Sequence, residues 1–215
     1  MESRHYGIIY INATTVRAPD GRTYMLKELV LKNRSYRGFD ESRKVTEEEL
    51  KELVDIARVT ASGANLQPLK YHLITGGEEL KKMNELTKWG KMLTQMTLPH
   101  PGQFPTAYIL VLADTNICKE PRNADTDLCI AAQTILLAAV EKGLGGCMIA
   151  NFDKAAASAI FPHDSALCPV LAIAVGKPIE DIRLVDVGED GSTKYYRDEN
   201  DVHYVPKRKL EDVLV

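Results

Sequence analysis

Residues 127–146 read DLCIAAQTILLAAVEKGLGG. Ile130, Ala131, Ile135, Leu136, Leu137, Ala138, Ala139 and Val140 leave almost no polar face between Asp127 and Lys142. A helix that is apolar nearly all round is central and buried. Gly143 terminates it, and the run Gly143-Leu144-Gly145-Gly146 then enters an apolar segment. A bare backbone there can approach a ligand closely and offer N–H groups with no side chain in the way. A glycine C-cap with a tight turn explains Gly143 or Gly145 but leaves the run as a whole unexplained. The run follows a helix rather than a strand and is not G-x-G-x-x-G, which argues against a dinucleotide-binding Rossmann site.

On either side of this helix lie two nearly continuous apolar runs, Thr106–Ala113 and Cys168–Val175. Each reads as a strand covered on both faces. Lys70–Thr75 reads as a further strand and Glu78 to about Thr97 as a helix, less regular after Trp89-Gly90. Thr46-Glu47-Glu48-Glu49 has the spacing of a capping box. Behind it, Leu50, Leu53, Val54, Ala57 and Ala61 form one apolar stripe, so a helix is expected from there to about Ser62-Gly63. A shorter helix is expected over Tyr24–Asn33, with Leu26, Leu29 and Val30 on one stripe. Strands alternating with helices give an α/β or α+β sheet between helices, the last core strand closed by Gly176-Lys177-Pro178. Residues 1–23 show no helical period and read as an N-terminal extension to one domain over residues 24–215.

A chain of 215 residues with 45% hydrophobic and 27% charged residues has the composition of a soluble globular domain. The formal net charge of -3 gives no electrostatic reason to expect a nucleic-acid partner. No stretch near the start is long enough for a signal h-region or a membrane span, so the expected location is cytoplasmic. Cys118, Cys129, Cys147 and Cys168 show no C-x-x-C pair and read as reduced, mostly buried small hydrophobes. His5, His72, His100, His163 and His203 lack metal-ligand spacing, and no nucleophile motif is present. Neither a metal site nor a catalytic side chain is expected.

Three groups of residues can hold a polar ligand. Arg34, Ser35 and Arg37 follow a predicted helix and offer two guanidinium forks and a hydroxyl, suited to a phosphate or the polar edge of a ring. Taken alone, they read more readily as a solvated basic turn, since surface charges are common. Asn65 and Gln67 stand in a loop before Pro68, where their amides can meet a planar ligand or simply satisfy nearby backbone. Lys207 and Arg208, with Lys209, can supply cations to a phosphate, although a terminal charge run is commonly solvated.

Taken in order, Arg34-Ser35-Tyr36-Arg37-Gly38-Phe39, Ser62-Gly63-Ala64-Asn65-Leu66-Gln67-Pro68 and Gly143–Ile149 resemble the nitroreductase family of FMN-dependent oxidoreductases. The similarity runs from about Leu26 to Leu214. It implies an α+β fold, a central sheet flanked by helices, and an intertwined homodimer binding FMN at its interface. It further implies that Arg34, Ser35 and Arg37 contact the flavin phosphate, ribityl chain and ring edge. Asn65 and Gln67 would reach the flavin, with the partner subunit as one source, and the backbone of Ile149, Ala150 and Asn151 would lie beside the reactive ring face. Lys207 and Arg208 resemble the family's basic pair near the phosphate. The implied reaction is hydride transfer from NAD(P)H to flavin and then to a nitroaromatic, quinone or related acceptor, in a ping-pong cycle, with Arg37 stabilising negative charge on the ring. Asn33, Leu69 and Met148 depart from the family pattern by removing one cation and two pocket aromatics. A flavin-binding or flavin-handling protein with little turnover is the alternative, and a cofactor-free interaction protein requires all three matches to be coincidental.

Overall fold

The structure, a computed structural model, describes residues 25–93, 95–160 and 164–215. The extension over residues 1–23 and Tyr24 lie outside the described residues. Two helices precede the first strand: α1 (Leu26–Lys32) and α2 (Glu47–Ala57). β1 (Leu69–Ile74), α3 (Gly77–Leu86), β2 (Ala107–Asp114) and α4 (Asp125–Glu141) follow. The chain continues through β3 (Gly145–Ile149), α5 (Lys154–Ile160) and β4 (Leu167–Gly176), then β5 (Ile182–Asp186), β6 (Tyr196–Arg197) and β7 (His203–Lys207).

The main sheet is four-stranded in the order β1-β2-β4-β3, and each neighbouring pair is antiparallel. Side chains alternate across a strand, and β2 uses both faces. Ile109 and Val111 pack with Leu50, Leu53, Ile135 and Ala139 of α2 and α4. Tyr108, Leu110 and Leu112 pack with Met83 of α3 and Ala157 of α5 on the other side. Helices on both faces are the physical reason β2 and β4 read as unbroken apolar runs. The fold is therefore α+β, an antiparallel sheet between helical layers.

Local chemistry explains the element limits. The Thr46 hydroxyl accepts from the Glu49 N–H at 3.2 Å while the Glu49 carboxylate accepts from the Thr46 N–H at 2.9 Å, closing the expected capping box. This helix stops at Ala57 rather than near Ser62, and the chain then forms a short 3-10 turn over Gly63–Asn65. The helix expected to reach about Thr97 ends at Leu86, because Thr87 turns extended to bridge Phe152 and Gly90 takes φ 56°. α1 buries Leu29 only, leaving Leu26 and Val30 of the anticipated stripe exposed. Cys118 and Cys147 are buried as expected, but Cys129 is exposed and Cys168 is intermediate.

The turn after α1 docks on the outer edge of β3. Ser35 forms a parallel bridge with Gly146, and the Tyr36 N–H donates to the Gly146 carbonyl at 3.0 Å. Beyond β4, the chain forms a second, three-stranded sheet in the order β5-β7-β6. β5 and β7 are parallel, β6 and β7 antiparallel. This sheet was not foreseen, since residues 182–207 carry no continuous apolar run.

The glycine pair at the start of β3 is required by close packing. A Cβ on Gly146 would lie 2.1 Å from the Ala174 carbonyl oxygen and 2.8 Å from Leu136 Cδ2. Relief demands movement of β4, since a backbone oxygen cannot rotate away. Gly146→Ala is therefore expected to lower unfolding free energy by about 1–3 kcal/mol in chemical denaturation, the cost of overpacking a filled core. An unchanged midpoint would show that β3 and β4 have room to separate.

Candidate functional site

Docking of the α1–α2 turn on β3 and of β7 beside it creates a cavity of about 350 Å³, inside the usual range for small-molecule pockets. Arg34, Ser35, Arg37 and Lys207 all line it. Leu136, Met148, Ile182 and Val205 supply apolar wall, and Tyr195 and His203 stand among them. A cation-rich cavity with aliphatic and aromatic walls suits a ligand that is anionic in one part and flat or apolar in another.

The two arginines of the turn are held differently. The Arg34 Nη2 donates to the Val30 carbonyl at 2.6 Å, while its Nε is buried without a partner. Burial lowers the Arg34 pKa, but a guanidinium remains cationic through the physiological range. An orphaned buried donor is costly, and a ligand acceptor in the cavity would satisfy it. Arg37 is fixed at both ends. Its backbone N–H donates to Glu180 Oε2, as does the Gly38 N–H at 3.1 Å. Its guanidinium donates to the Ser35 carbonyl at 3.0 Å and lies 5.1 Å over the Tyr195 ring, within cation–π range.

The Glu180 side chain is itself buried. Its Oε1 pairs with Arg197 Nη2, and the two side chains are 4% and 1% exposed. Arg197 Nη1 reaches Asp201 at 2.8 Å. Neighbouring His203 is 2% exposed, and its ring meets Tyr195 edge-on with centroids 5.4 Å apart. Neither His203 ring nitrogen has a hydrogen-bond partner. Burial, with Arg37 and Arg197 nearby, lowers its pKa from 6.5 to about 4, so the imidazole is neutral at pH 7. Burial pushes the Cys147 thiol up to about 11, which keeps it from acting as a thiolate nucleophile at neutral pH.

The other expected residues lie elsewhere. Gln67 lines a separate recess with Ser62, Tyr71 and Asp127, and its Nε2 donates to Asn65 Oδ1 at 3.1 Å. The buried Asp127 carboxylate accepts from the Gly63 N–H at 2.9 Å and from the Ser62 hydroxyl. Ala64, Asn65 and Gln67 have φ of 48°, 55° and 51°, a left-handed turn that side chains rarely adopt and that this anchor holds. Ile149 is buried in β3, whereas Ala150 and Asn151 are exposed beyond it, and the neighbouring residue that lines the cavity is Met148. Arg208 is exposed and does not line the cavity with Lys207. One chain thus gathers Arg34, Ser35, Arg37 and Lys207, and sets Asn65 and Gln67 apart. Tyr195, His203, Glu180 and Arg197 had no sequence signal beyond being single polar residues in a charged segment. Among the described residues there is no His, Cys, Asp and Glu group that could hold a metal ion, and no helix long and apolar enough to cross a membrane.

The neutral state of His203 has a consequence for stability. The unfolded chain binds a proton near pH 6.5 and the folded chain only near pH 4, so this contribution is complete above 6.5 and is lost as pH falls towards 4. Denaturation midpoints measured from pH 7 to pH 4.5 should therefore fall more steeply for the wild-type chain than for His203→Phe. Parallel profiles would contradict a buried neutral imidazole.

Comparison with known proteins places this geometry. The sequence profile of the nitroreductase family matches residues 30–177. An Archaeoglobus fulgidus protein named as an NADH dehydrogenase/NAD(P)H nitroreductase is 28% identical over 128 residues, covering 59% of this chain and 68% of that one. A Staphylococcus epidermidis structure named as an NAD(P)H:FMN oxidoreductase superposes with TM-score 0.64 at 20% identity, over 90% of this chain and 96% of its own. A Desulfovibrio desulfuricans structure, named as a nitroreductase in complex with FMN, gives TM-score 0.64 at 20% identity over 90% and 97%. The profile match ends before β5, so Tyr195, His203 and Lys207 reach the cavity from outside it. With the match spanning most of the chain and the fold shared along nearly its whole length, the chain belongs to the nitroreductase family.

Proposed function

We propose that this chain is an FMN-dependent oxidoreductase that uses NAD(P)H to reduce nitroaromatic, quinone or related acceptors in a ping-pong cycle. The observation that carries this reading is the convergence of Arg34, Ser35, Arg37 and Lys207 on one cavity, with the Arg34 Nε buried and unpartnered. These residues fit FMN. Lys207, Arg34 and Ser35 would hold its phosphate and ribityl oxygens, and Arg37 would face the ring edge. When bound, FMN supplies the hydride-accepting and hydride-donating chemistry that no side chain here provides.

The protein's part is orientation and charge. Arg37, clamped through its backbone by Glu180 and resting on Tyr195, is a preorganised cation that needs little reorganisation to meet developing negative charge. Met148, Leu136 and Val205 supply an apolar wall against which a flat ring can pack.

The same reading includes an intertwined homodimer in the cytoplasm. Within one chain, neither Asn65 nor Gln67 lines the cavity of Arg37, and Gln67 stands on a different recess, so a second copy is the natural source of amides for the cavity. Met25, Leu26, Val30 and Leu31 around α1, with Ile56 and Val59 near the end of α2, are large exposed hydrophobic residues of the kind that a symmetric partner buries.

Arg37→Ala, saturated with FMN, should be reduced by NAD(P)H at least about tenfold more slowly in stopped-flow absorbance, since a preorganised charge contact is lost. A wild-type rate would remove Arg37 from this role. Turnover of the wild-type protein with nitroaromatic or quinone acceptors separates an oxidoreductase from a flavin-handling protein, which would retain the cofactor but leave the acceptors unreduced.

A further inference from the structure

Successive inward positions of β7 carry His203, Val205 and Lys207, and all three line the cavity. The intervening residues turn away: Tyr204 stacks on Tyr196 with centroids 5.1 Å apart, and Pro206 lines a different recess. At about 3.3 Å per strand residue, His203 and Lys207 mark points roughly 13 Å apart along one wall. Lys207 therefore provides an exposed cation at one end and His203 a buried imidazole at the other, with an aliphatic side chain between them.

The His203 end is also the Arg37 end. Both side chains pack on Tyr195, the guanidinium 5.1 Å over its ring and the imidazole edge-on at 5.4 Å. Arg197, paired to Glu180 and Asp201, also lies near His203. Asp201 is the acidic group acting on His203, and the two guanidiniums oppose its protonation. A neutral imidazole offers one donor and one acceptor. Both are unsatisfied in a residue that is 2% exposed, an arrangement that costs free energy unless something in the cavity supplies partners.

We propose that His203 is a ligand-binding residue that hydrogen-bonds the polar edge of a heteroaromatic ring held at the Arg37 end of the cavity. The inference rests on the FMN reading above and adds to it a residue beyond the part of the chain that matches the family profile. The chemistry selects the ring edge over the phosphate. A phosphate oxygen can only accept from cations and donors, which Lys207 and Arg34 already supply. A heterocyclic edge carries both carbonyl acceptors and an N–H donor, so it can pair with whichever nitrogen of a neutral imidazole faces it, while Arg37 supplies the charge. His203 is thus the neutral half of a pair whose cationic half is Arg37.

The test compares FMN with riboflavin, which has the same ring and no phosphate, by flavin-fluorescence titration of the purified full-length chain. His203→Phe should weaken both ligands about tenfold or more, the loss of one or two buried hydrogen bonds. His203→Asn or His203→Gln should recover much of the affinity, the better of the two identifying whether Nδ1 or Nε2 makes the contact. Lys207→Ala should weaken FMN and leave riboflavin nearly unchanged. Undiminished binding of both ligands to His203→Phe overturns the inference, and so does a loss confined to FMN, which would place His203 at the phosphate. Should His203→Phe fail to fold, imidazole nitrogen NMR of the wild-type chain decides: riboflavin should shift the resonance of the His203 ring nitrogen that makes the contact, and unshifted resonances overturn the inference. Failure of the wild-type chain to bind either flavin would instead overturn the FMN reading, and the inference with it.

Discussion

The candidate site depends on one buried ion pair. The side chains of Glu180 and Arg197 are almost entirely out of water, and the Glu180 carboxylate also accepts from the backbone N–H groups of Arg37 and Gly38. That single carboxylate joins the turn after α1 to the second sheet. Removing either partner would leave an unpaired buried charge, so each holds the other in place. The arrangement fixes the backbone of Arg37 while leaving its guanidinium directed at the cavity over Tyr195. With its backbone clamped and its guanidinium held by the Ser35 carbonyl and the Tyr195 ring, the charge needs little reorganisation to meet a ligand, which is the property that electrostatic catalysis requires.

A second constraint is the close approach of β3 to its surroundings. Gly145 lies against Pro178 and Tyr36, and Gly146 against the Ala174 carbonyl and Leu136 of α4. No Cβ fits at either position, which lets the Arg34–Arg37 turn lie along the edge of the sheet. The central helix, the glycine pair and the basic turn are therefore one structural unit. α4 buries Ala131, Ile135, Leu136, Ala138, Ala139 and Val140, while Cys129 and Ile130 of its first turns stay exposed, and its last turn delivers the bare backbone on which the turn rests. The cavity then forms where the second sheet meets that edge.

Much of this was legible in the sequence because it follows from local rules. The Thr46 capping box, the continuous apolar runs of β2 and β4, and the all-round apolar α4 have mechanisms that act within a few residues or across one helix turn. Arg34, Ser35, Arg37 and Lys207 were legible as candidate phosphate and ring contacts, and one cavity unites them. The second sheet was not, because β5 is half-exposed with Arg183 and Asp186 among its five residues, and parallel pairing with β7 leaves no local pattern. Glu180, Arg197 and His203 acquire meaning only from partners distant in sequence, and a lone histidine without ligand spacing carries no signal by itself. The helix after Gly77 was read too long because the Thr87–Phe152 bridge that ends it joins residues 65 apart. Asn65 and Gln67 stand in a left-handed turn that Asp127 anchors, and Gln67 lines a recess separate from the cavity of Arg34, Arg37 and Lys207.

The most direct measurement is the visible absorption spectrum of the purified chain after incubation with FMN and removal of free flavin. The geometry predicts retained flavin absorbance at about one FMN per chain, since each chain offers the cavity lined by Arg34, Arg37 and Lys207 and the cofactor is to be held noncovalently within it. A protein that emerges colourless, after correct folding is established by its circular dichroism, would contradict the assignment of that cavity to FMN.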